Sequence, residues 1–173
     1  MTQHSGSLLK YPARVSFVWY LSAIALGGII LHQPFCRHEG VEPISVVDAL
    51  FTSTSATCVT GLGVRSTGNA FNFTGQAVIL ALIQLGGIGI ITVTTFAMVQ
   101  MGNRASLRQR TVIVQTLGVS DRADLRSILR DVLWATLLFE GVGAILLSLR
   151  FWLGYGMTLG NAAWYGLFHA VSA

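Results

Sequence analysis

The run from Ala77 to Met101, AVILALIQLGGIGIITVTTFAMVQM, decides the fold class, because it is long and contains no charged side chain. A membrane-spanning helix needs about 20 predominantly apolar residues. The surrounding window from Ser66 to Asn103 is also free of charge. This stretch therefore predicts a transmembrane helix rather than the amphipathic helix of a water-soluble domain.

The composition of the whole chain agrees with a membrane protein. Of its 173 residues, 53% are hydrophobic and only 10% are charged, whereas about 25% are charged in an average soluble domain. So few charged side chains cannot cover the water-facing surface of a soluble globular domain, which excludes that class. The apolar and weakly charged composition also excludes a disordered segment and a nucleic-acid-binding arm. The excess of 11 Lys and Arg over 7 Asp and Glu is small, so its position matters more than its size.

Two further stretches are apolar enough to cross the membrane. The first runs from Val15 to Leu31, and the other runs from Val132 to Leu149 with Glu140 inside it. Together with the run described above, they predict three transmembrane helices and an all-α membrane protein. Glu140 is a candidate ion-pathway residue, because ionisable groups inside membranes are commonly functional. We favour the alternative that it is a hydrogen-bonded anchor between internal repeats of the chain.

Basic residues predict the orientation of these helices. Six arginines lie between the second and third stretches, whereas residues 32 to 75 carry only Arg37 and Arg65 beside three acidic side chains. Because positive charge accumulates on cytosolic loops, the amino terminus and residues 102 to 131 are predicted to be cytosolic, and residues 32 to 75 to lie outside. No typical signal-peptide cleavage site follows the first stretch, so we expect it to be retained.

The segment that follows Pro43 is unusual for an outside loop. Ser45 and Asp48 have the spacing of a helix-capping box, and the apolar residues after them predict a helix of two or three turns, too short to span a membrane. The hydroxyl-rich run TSTSATCVTGLG follows from Thr52 to Gly63. Such a segment is either a re-entrant helix whose extended run coordinates a cation through carbonyl oxygens, or a Ser/Thr-rich loop above a helix bundle. The local pattern leaves both open.

The sequence also contains a weak internal repeat. When the chain is shifted by 117 residues, Asp48 to Ala56 aligns with Tyr165 to Ala173 and matches at four of nine positions. The same shift places the first apolar stretch on the third without a gap. A span followed by a short re-entrant helix is therefore predicted to occur twice, and the second copy reaches Ala173 just before its own extended run.

Several motifs together resemble one known family. The runs from Asp48 to Leu62 and from Gln84 to Thr92 are similar to the membrane subunit of the Trk/Ktr/HKT potassium transporters, with the bacterial Ktr type as the most similar. The runs Ser106 to Arg110, Glu140 to Phe151 and Ala163 to Ala173 fit the same family in the same order.

The resemblance implies an all-α pore in the plasma (inner) membrane, built from four repeats of span, re-entrant pore helix with filter loop, and span around a pseudo-fourfold axis. Residues 1 to 101 would form the first repeat, residues 102 to 131 a cytosolic connection, and residues 132 to 173 the first half of the second repeat. The chain would then be the amino-terminal part of a longer transporter, with about one and a half of the four repeats.

The resemblance also implies the ion site. Thr57, Cys58, Val59, Thr60 and Gly61 would form the first filter segment, with the carbonyl groups of residues 58 to 60 offered to potassium. Glycine at position 61 favours potassium, because related plant proteins with serine there favour sodium. Sodium stays open as a coupling or activating ion.

The same resemblance implies the partners. The cytosolic face of residues 102 to 131 would bind a ring of nucleotide-binding regulatory subunits, chiefly through Ser106 to Arg126, and the full-length chain would form a homodimer in the bilayer. The arginines of this face are also explained by topology alone or by contact with lipid headgroups. No nucleic acid is expected as a partner.

The predicted function is potassium uptake through a channel-like pore, without catalytic chemistry. One alternative is a small membrane-anchored structural or assembly subunit that is complete at this length, and the gene beyond Ala173 would distinguish the two. Another alternative, a membrane enzyme, is disfavoured because the Asp, Glu and His residues are scattered and form no paired acid and base.

Three smaller motifs have interpretations of their own. The run QLGGIG from Gln84 to Gly89 lies inside a predicted span with no preceding strand, so helix packing explains its glycines better than a nucleotide-binding loop. His32, Cys36 and His38 lack the spacing and the fourth ligand of a closed zinc site. His169, which aligns with a threonine in the repeat, is expected to cap or pack the second short helix.

Overall fold

The structure of the chain is a computed structural model that describes residues 12 to 101 and 125 to 173. Most of these residues are helical and none lies in a β-strand, which confirms the predicted all-α class. The elements are α1 (Pro12–Leu31), a 3-10 turn (Pro34–Cys36), α2 (Val46–Thr57), α3 (Thr67–Ala70), α4 (Phe73–Met101), α5 (Leu125–Tyr155) and α6 (Leu159–Ser172). Residues 102 to 124 of the predicted cytosolic connection lie outside the described residues.

The long helices coincide with the three predicted spans. Within the described residues, α5 is the helix that is long and apolar enough to cross a membrane, over Arg130–Tyr155, and shorter apolar stretches occupy Ser16–Leu31 in α1 and Phe73–Gly89 in α4. α5 extends beyond the predicted stretch at both ends, so residues 125 to 131 are helical. It ends before Gly156, whose φ of 64° is typical of the residue after a helix.

The core of the described residues lies where α2 packs against α1 and α4. The buried apolar residues of this core are Leu31, Ile44, Ala49, Ala56, Ala70, Phe71, Ile79 and Leu82. Helix α2 begins as the sequence predicts. Ser45 is its N-cap, and the Ser45 Oγ accepts a hydrogen bond from the Asp48 N–H at 3.0 Å. A Cβ on Gly28 of α1 would overlap the Leu50 side chain, so glycine permits the close approach of α1 and α2.

α5 and α6 resemble α1 and α2 in their order, with a long helix followed by a short one packed against it. The aligned positions of the two short helices make the same contact. Thr52 Oγ1 donates to the Asp48 carbonyl oxygen at 2.8 Å, and His169 Nδ1 lies 2.8 Å from the Tyr165 carbonyl oxygen. His169 therefore packs on its own helix, as the repeat alignment predicts, and its ring lies 5.5 Å from that of Phe151.

Candidate functional site

The carboxyl end of α2 leads directly into the predicted filter segment. Beyond Thr57 the chain makes a Schellman turn, in which the Val59 N–H donates to the Ala56 carbonyl at 3.2 Å and the Thr60 N–H donates to the Ser55 carbonyl at 3.0 Å. These bonds satisfy carbonyl groups that a helix end otherwise leaves unpaired. The turn places the residues after α2 at the negative end of the helix dipole.

Val59 adopts a left-handed backbone conformation with a φ of 53°. This position of a Schellman turn is usually glycine, because a Cβ, and above all a β-branched side chain, crowds the backbone there. The left-handed conformation costs about 1–2 kcal/mol for a residue that has a Cβ. Strained residues of this kind cluster at functional sites, so the conformation of Val59 sets the predicted segment apart from an ordinary loop.

Thr60 and Gly61 differ in what is distinctive about them: a side-chain hydrogen bond at Thr60 and the backbone conformation at Gly61. Thr60 is held to α2, because its Oγ1 donates to the Oγ of the buried Ser55 at 3.0 Å. Gly61 has a φ of 70°, a conformation that residues with side chains rarely adopt. Among the described residues, no atom lies within 4 Å of the Cβ position at Gly61, so a substitution there would strain the backbone rather than collide with one of these neighbours.

Thr57, the first residue of the segment, is fully buried. Its Oγ1 donates to the Ser53 carbonyl at 2.8 Å, and the Ser53 Oγ donates to the Ile24 carbonyl of α1 at 2.8 Å. A Cβ on Gly27 of α1 would overlap the Ser53 hydroxyl, so the two helices touch at this point. The end of α2 is therefore anchored to α1 by polar as well as apolar contacts.

The backbone of Thr57 also contacts α4, at Gly86. A Cβ on Gly86 would overlap the Thr57 carbonyl oxygen and lie 2.9 Å from its carbonyl carbon. The Tyr20 hydroxyl of α1 donates to the Gly86 carbonyl at 3.2 Å. Gly89 contacts an indole ring of α1, whereas Gly87 faces open space. Glycines in the QLGGIG run therefore permit close helix contacts, which is the interpretation favoured from the sequence.

An open space of about 430 Å³ lies beside the predicted segment. Val59, Thr60 and Gly61 line one part of it, and the carboxyl-terminal part of α6 lines another. Thr57 is buried away from this space, and Cys58 is exposed without lining it. The structure thus brings three of the five predicted site residues to one open space and leaves the other two outside its lining.

An ion pair that the sequence analysis missed lies beyond Gly61. Arg65 Nε donates to Asp48 Oδ2 at 2.8 Å, and the two residues are 17 positions apart. Arg65 also lines the space of about 430 Å³. The sequence offers one signal for this pair, since Asp48 and Arg65 carry opposite charges in a segment with no other charged residue. Helix and strand periodicities, however, do not predict a contact between residues 17 positions apart.

Two further polar pairs join α4 to the last two helices. Gln84 Nε2 donates to Glu140 Oε2 at 2.5 Å, and Trp164 Nε1 donates to Gln76 Oε1 at 2.7 Å. Glu140 is therefore a hydrogen-bonded link between α4 and α5, in agreement with the anchor favoured from the sequence. It also borders a second cavity, of about 210 Å³, which Val59 lines as well.

Two of the three candidate zinc ligands, His32 and Cys36, have surroundings that do not favour metal binding. His32 Nδ1 lies 2.8 Å from the Ile44 carbonyl oxygen. Cys36 is fully buried, and burial raises the pKa of its thiol, which favours the neutral thiol over the thiolate that binds metals. In the part of the chain that the structure describes, no group of three His, Cys, Asp or Glu side chains could hold a metal ion.

Comparison with known proteins identifies related transport proteins. The family model for TrkH, described as a cation transport protein, matches residues 23–173. Over 177 aligned residues the chain is 32% identical to the Ktr system potassium uptake protein B of Bacillus subtilis, covering 100% of this chain and 39% of that protein. It is 34% identical to the Ktr system potassium uptake protein B of Vibrio alginolyticus, covering 92% of this chain and 34% of that protein.

A third relative is named for two ions. The potassium/sodium uptake protein NtpJ of Enterococcus hirae is 31% identical over 162 residues, covering 94% of this chain and 35% of that protein. The chain therefore spans less than two fifths of the length of these curated relatives.

Proposed function

The chain belongs to the TrkH family of cation transport proteins, and on that premise we propose that it forms part of a channel-like pore for potassium uptake. Thr57 to Gly61 form one segment of the selectivity filter in this proposal. The observation that carries it is the left-handed backbone at Val59 and Gly61, directly after a short and well-anchored helix. The family and the named relatives are transport proteins, which agrees with the prediction that the chain is not an enzyme.

The backbone conformation supports a filter for a physical reason. A filter of this kind turns successive carbonyl oxygens toward one axis, where they replace the hydration shell of the ion. Successive carbonyl groups of an ordinary extended chain point to opposite sides, and left-handed residues at alternate positions can change that direction. Val59 and Gly61 have this conformation at alternate positions. The negative end of the α2 dipole adds attraction for a cation at the carbonyl groups of residues 58 to 60.

The proposal extends to the ion, the membrane and the partners. Potassium is the transported ion, with sodium as a coupling or activating ion, because two relatives are named for potassium and one for both ions. The amino terminus faces the cytosol of an inner membrane, in line with the basic residues 102 to 131. That face binds a ring of nucleotide-binding regulatory subunits, and the complete transporter is a homodimer.

Replacing Gly61 with serine tests the filter proposal. Because serine must adopt a φ near the 70° of Gly61, it strains the filter backbone, and potassium uptake should collapse or lose its selectivity over sodium. The measurement is uptake of both ions in cells that lack their own potassium uptake, expressing the complete reading frame.

Gly63→Ser is the matched control for this experiment. Gly63 lies in the same loop without a left-handed φ, and a Cβ there would make only an ordinary contact, 3.4 Å from the Arg65 carbonyl oxygen. We expect this variant to keep both uptake and selectivity. Unchanged flux and selectivity in Gly61→Ser would show that the filter assignment is wrong.

A further inference from the structure

The charged side chains beside the proposed filter segment form one ion pair. Arg65 Nε and Asp48 Oδ2 are 2.8 Å apart, and their side chains are 29% and 18% exposed. By contrast, the pair of Arg130 with its neighbour Asp131 in α5 is 69% and 68% exposed. Solvent-exposed pairs contribute little and are screened by salt, whereas a partly buried pair keeps more of its electrostatic attraction.

Arg65 borders the open space that Thr60 and Gly61 line. In the described part of the chain, it is the only charged side chain that borders this space. An uncompensated guanidinium at this position would repel a cation that approaches the proposed filter, because both carry positive charge. Water between them weakens this repulsion without removing it. The carboxylate of Asp48, which pairs with Arg65 Nε at 2.8 Å, cancels this charge.

The contacts of Asp48 show that its carboxylate binds Arg65, whereas its main-chain groups bind other residues. The Asp48 N–H donates to Ser45 Oγ, and its carbonyl accepts from Thr52 Oγ1, so capping and helix contacts use the main chain. In the described residues, Arg65 Nε is the one hydrogen-bond donor to the Asp48 carboxylate. The backbone of residues 61 to 64 makes no hydrogen bond within the described chain, so Arg65 also ties the loop back to α2.

We propose that Asp48 is an affinity-determining residue, because it cancels the charge of Arg65 next to the filter and so sets the apparent affinity for the transported cation. This inference rests on the proposed function, but neither residue belongs to the filter segment. By Coulomb's law, a single charge at an assumed distance of about 7 Å from a cation in water changes the local occupancy of that cation about threefold.

The two single substitutions should therefore shift potassium affinity in opposite directions. Asp48→Asn leaves the guanidinium uncompensated and should raise the KM for potassium about threefold. Arg65→Gln leaves the carboxylate uncompensated and should lower the KM by a similar factor. The double variant removes both charges and should return close to the wild-type KM, and Arg65→Lys, which keeps the charge, should stay close to it as well.

The experiment measures KM and maximal rate of potassium uptake by the complete transporter in proteoliposomes, with the amount of protein determined for each variant. The shifts should shrink when choline chloride is raised from about 0.01 M to about 0.3 M, because the Debye length falls well below its low-salt value of about 30 Å. Opposite KM shifts that both shrink with salt are a readout that a purely structural role would not produce, because a broken brace would shift both single variants in the same direction.

The outcomes separate this inference from the function on which it rests. If both single substitutions raise the KM, or lower only the maximal rate, the pair is a structural brace and the inference is wrong. Failure of the proposed function would look different, with no potassium uptake by the wild type or with unchanged selectivity in Gly61→Ser.

Discussion

Replacing Gly86 with alanine should impair potassium uptake far more than the same change at the neighbouring Gly87. Both residues lie within α4, where alanine is favoured over glycine by about 1 kcal/mol of helix propensity. Their surroundings differ, because a Cβ at Gly86 would overlap the Thr57 carbonyl group, whereas no atom of the described residues lies within 4 Å of the Cβ position at Gly87. The comparison therefore separates helix propensity from contact with the first residue of the proposed filter.

The size of the overlap sets the expected effect. The Cβ position at Gly86 lies 2.9 Å from the Thr57 carbonyl carbon, whereas carbon atoms in contact are about 3.5–4.0 Å apart. The end of α2 or α4 must therefore shift by at least roughly 0.6–1.1 Å, since the carbonyl oxygen lies closer still, and overpacking of this kind costs about 1–3 kcal/mol. Since a displacement of 1 Å in a positioned group can reduce activity about 100-fold, we expect Gly86→Ala to lower uptake at least tenfold, as an order of magnitude.

Initial uptake rates provide the assay. Potassium-depleted cells without their own uptake systems express the complete reading frame, and rates are divided by the amount of transporter in the membrane. Gly87→Ala should stay within about twofold of the wild type, since it gains helix propensity and meets open space. Equal uptake by the two variants at equal protein amounts would refute the reasoning that contact with Gly86 positions Thr57.

Two further substitutions test stability in the purified transporter by thermal unfolding in detergent. Glu140→Ala leaves the amide of Gln84 without its acceptor and should lower the stability of the transporter by about 1–3 kcal/mol. Glu140→Gln keeps an acceptor oxygen and should lose less stability. Equal melting temperatures of the two variants would contradict the anchor role. Val59→Gly and Val59→Ala remove the same contacts, but only glycine relieves the left-handed strain, so Val59→Gly should be the more stable by about 1 kcal/mol. A Val59→Ala variant of equal or higher stability would show that the strain at φ 53° is not significant.

Much of the fold follows from local signals in the sequence. Apolar runs with at most one charged residue predict the long helices, because a buried or lipid-facing helix satisfies its own backbone hydrogen bonds and needs few polar side chains. The start of α2 follows from Ser45 and Asp48, since a capping box depends on residues three positions apart. The end of α5 was harder to predict, because the helix continues past the apolar run until Gly156.

The candidate site stays a prediction, and only part of its geometry follows from the sequence. Composition and family resemblance indicate the run from Thr57 to Gly61. They do not indicate the left-handed conformation of Val59, because β-branched residues favour extended backbone. The role of Gly86 depends on its contact with Thr57, which comes from another helix. A glycine in an apolar helix indicates close packing, yet it does not say which backbone is the partner.

The helical membrane class, the short capped helix and the family follow from local runs of residues along the chain. The pairing of polar side chains follows from the packed fold instead: Asp48 meets Arg65, Gln84 meets Glu140, and Gln76 meets Trp164, at separations of 17, 56 and 88 residues. The physical reason is that a polar group surrounded by apolar side chains needs a partner, and the packing of helices selects that partner from distant parts of the chain.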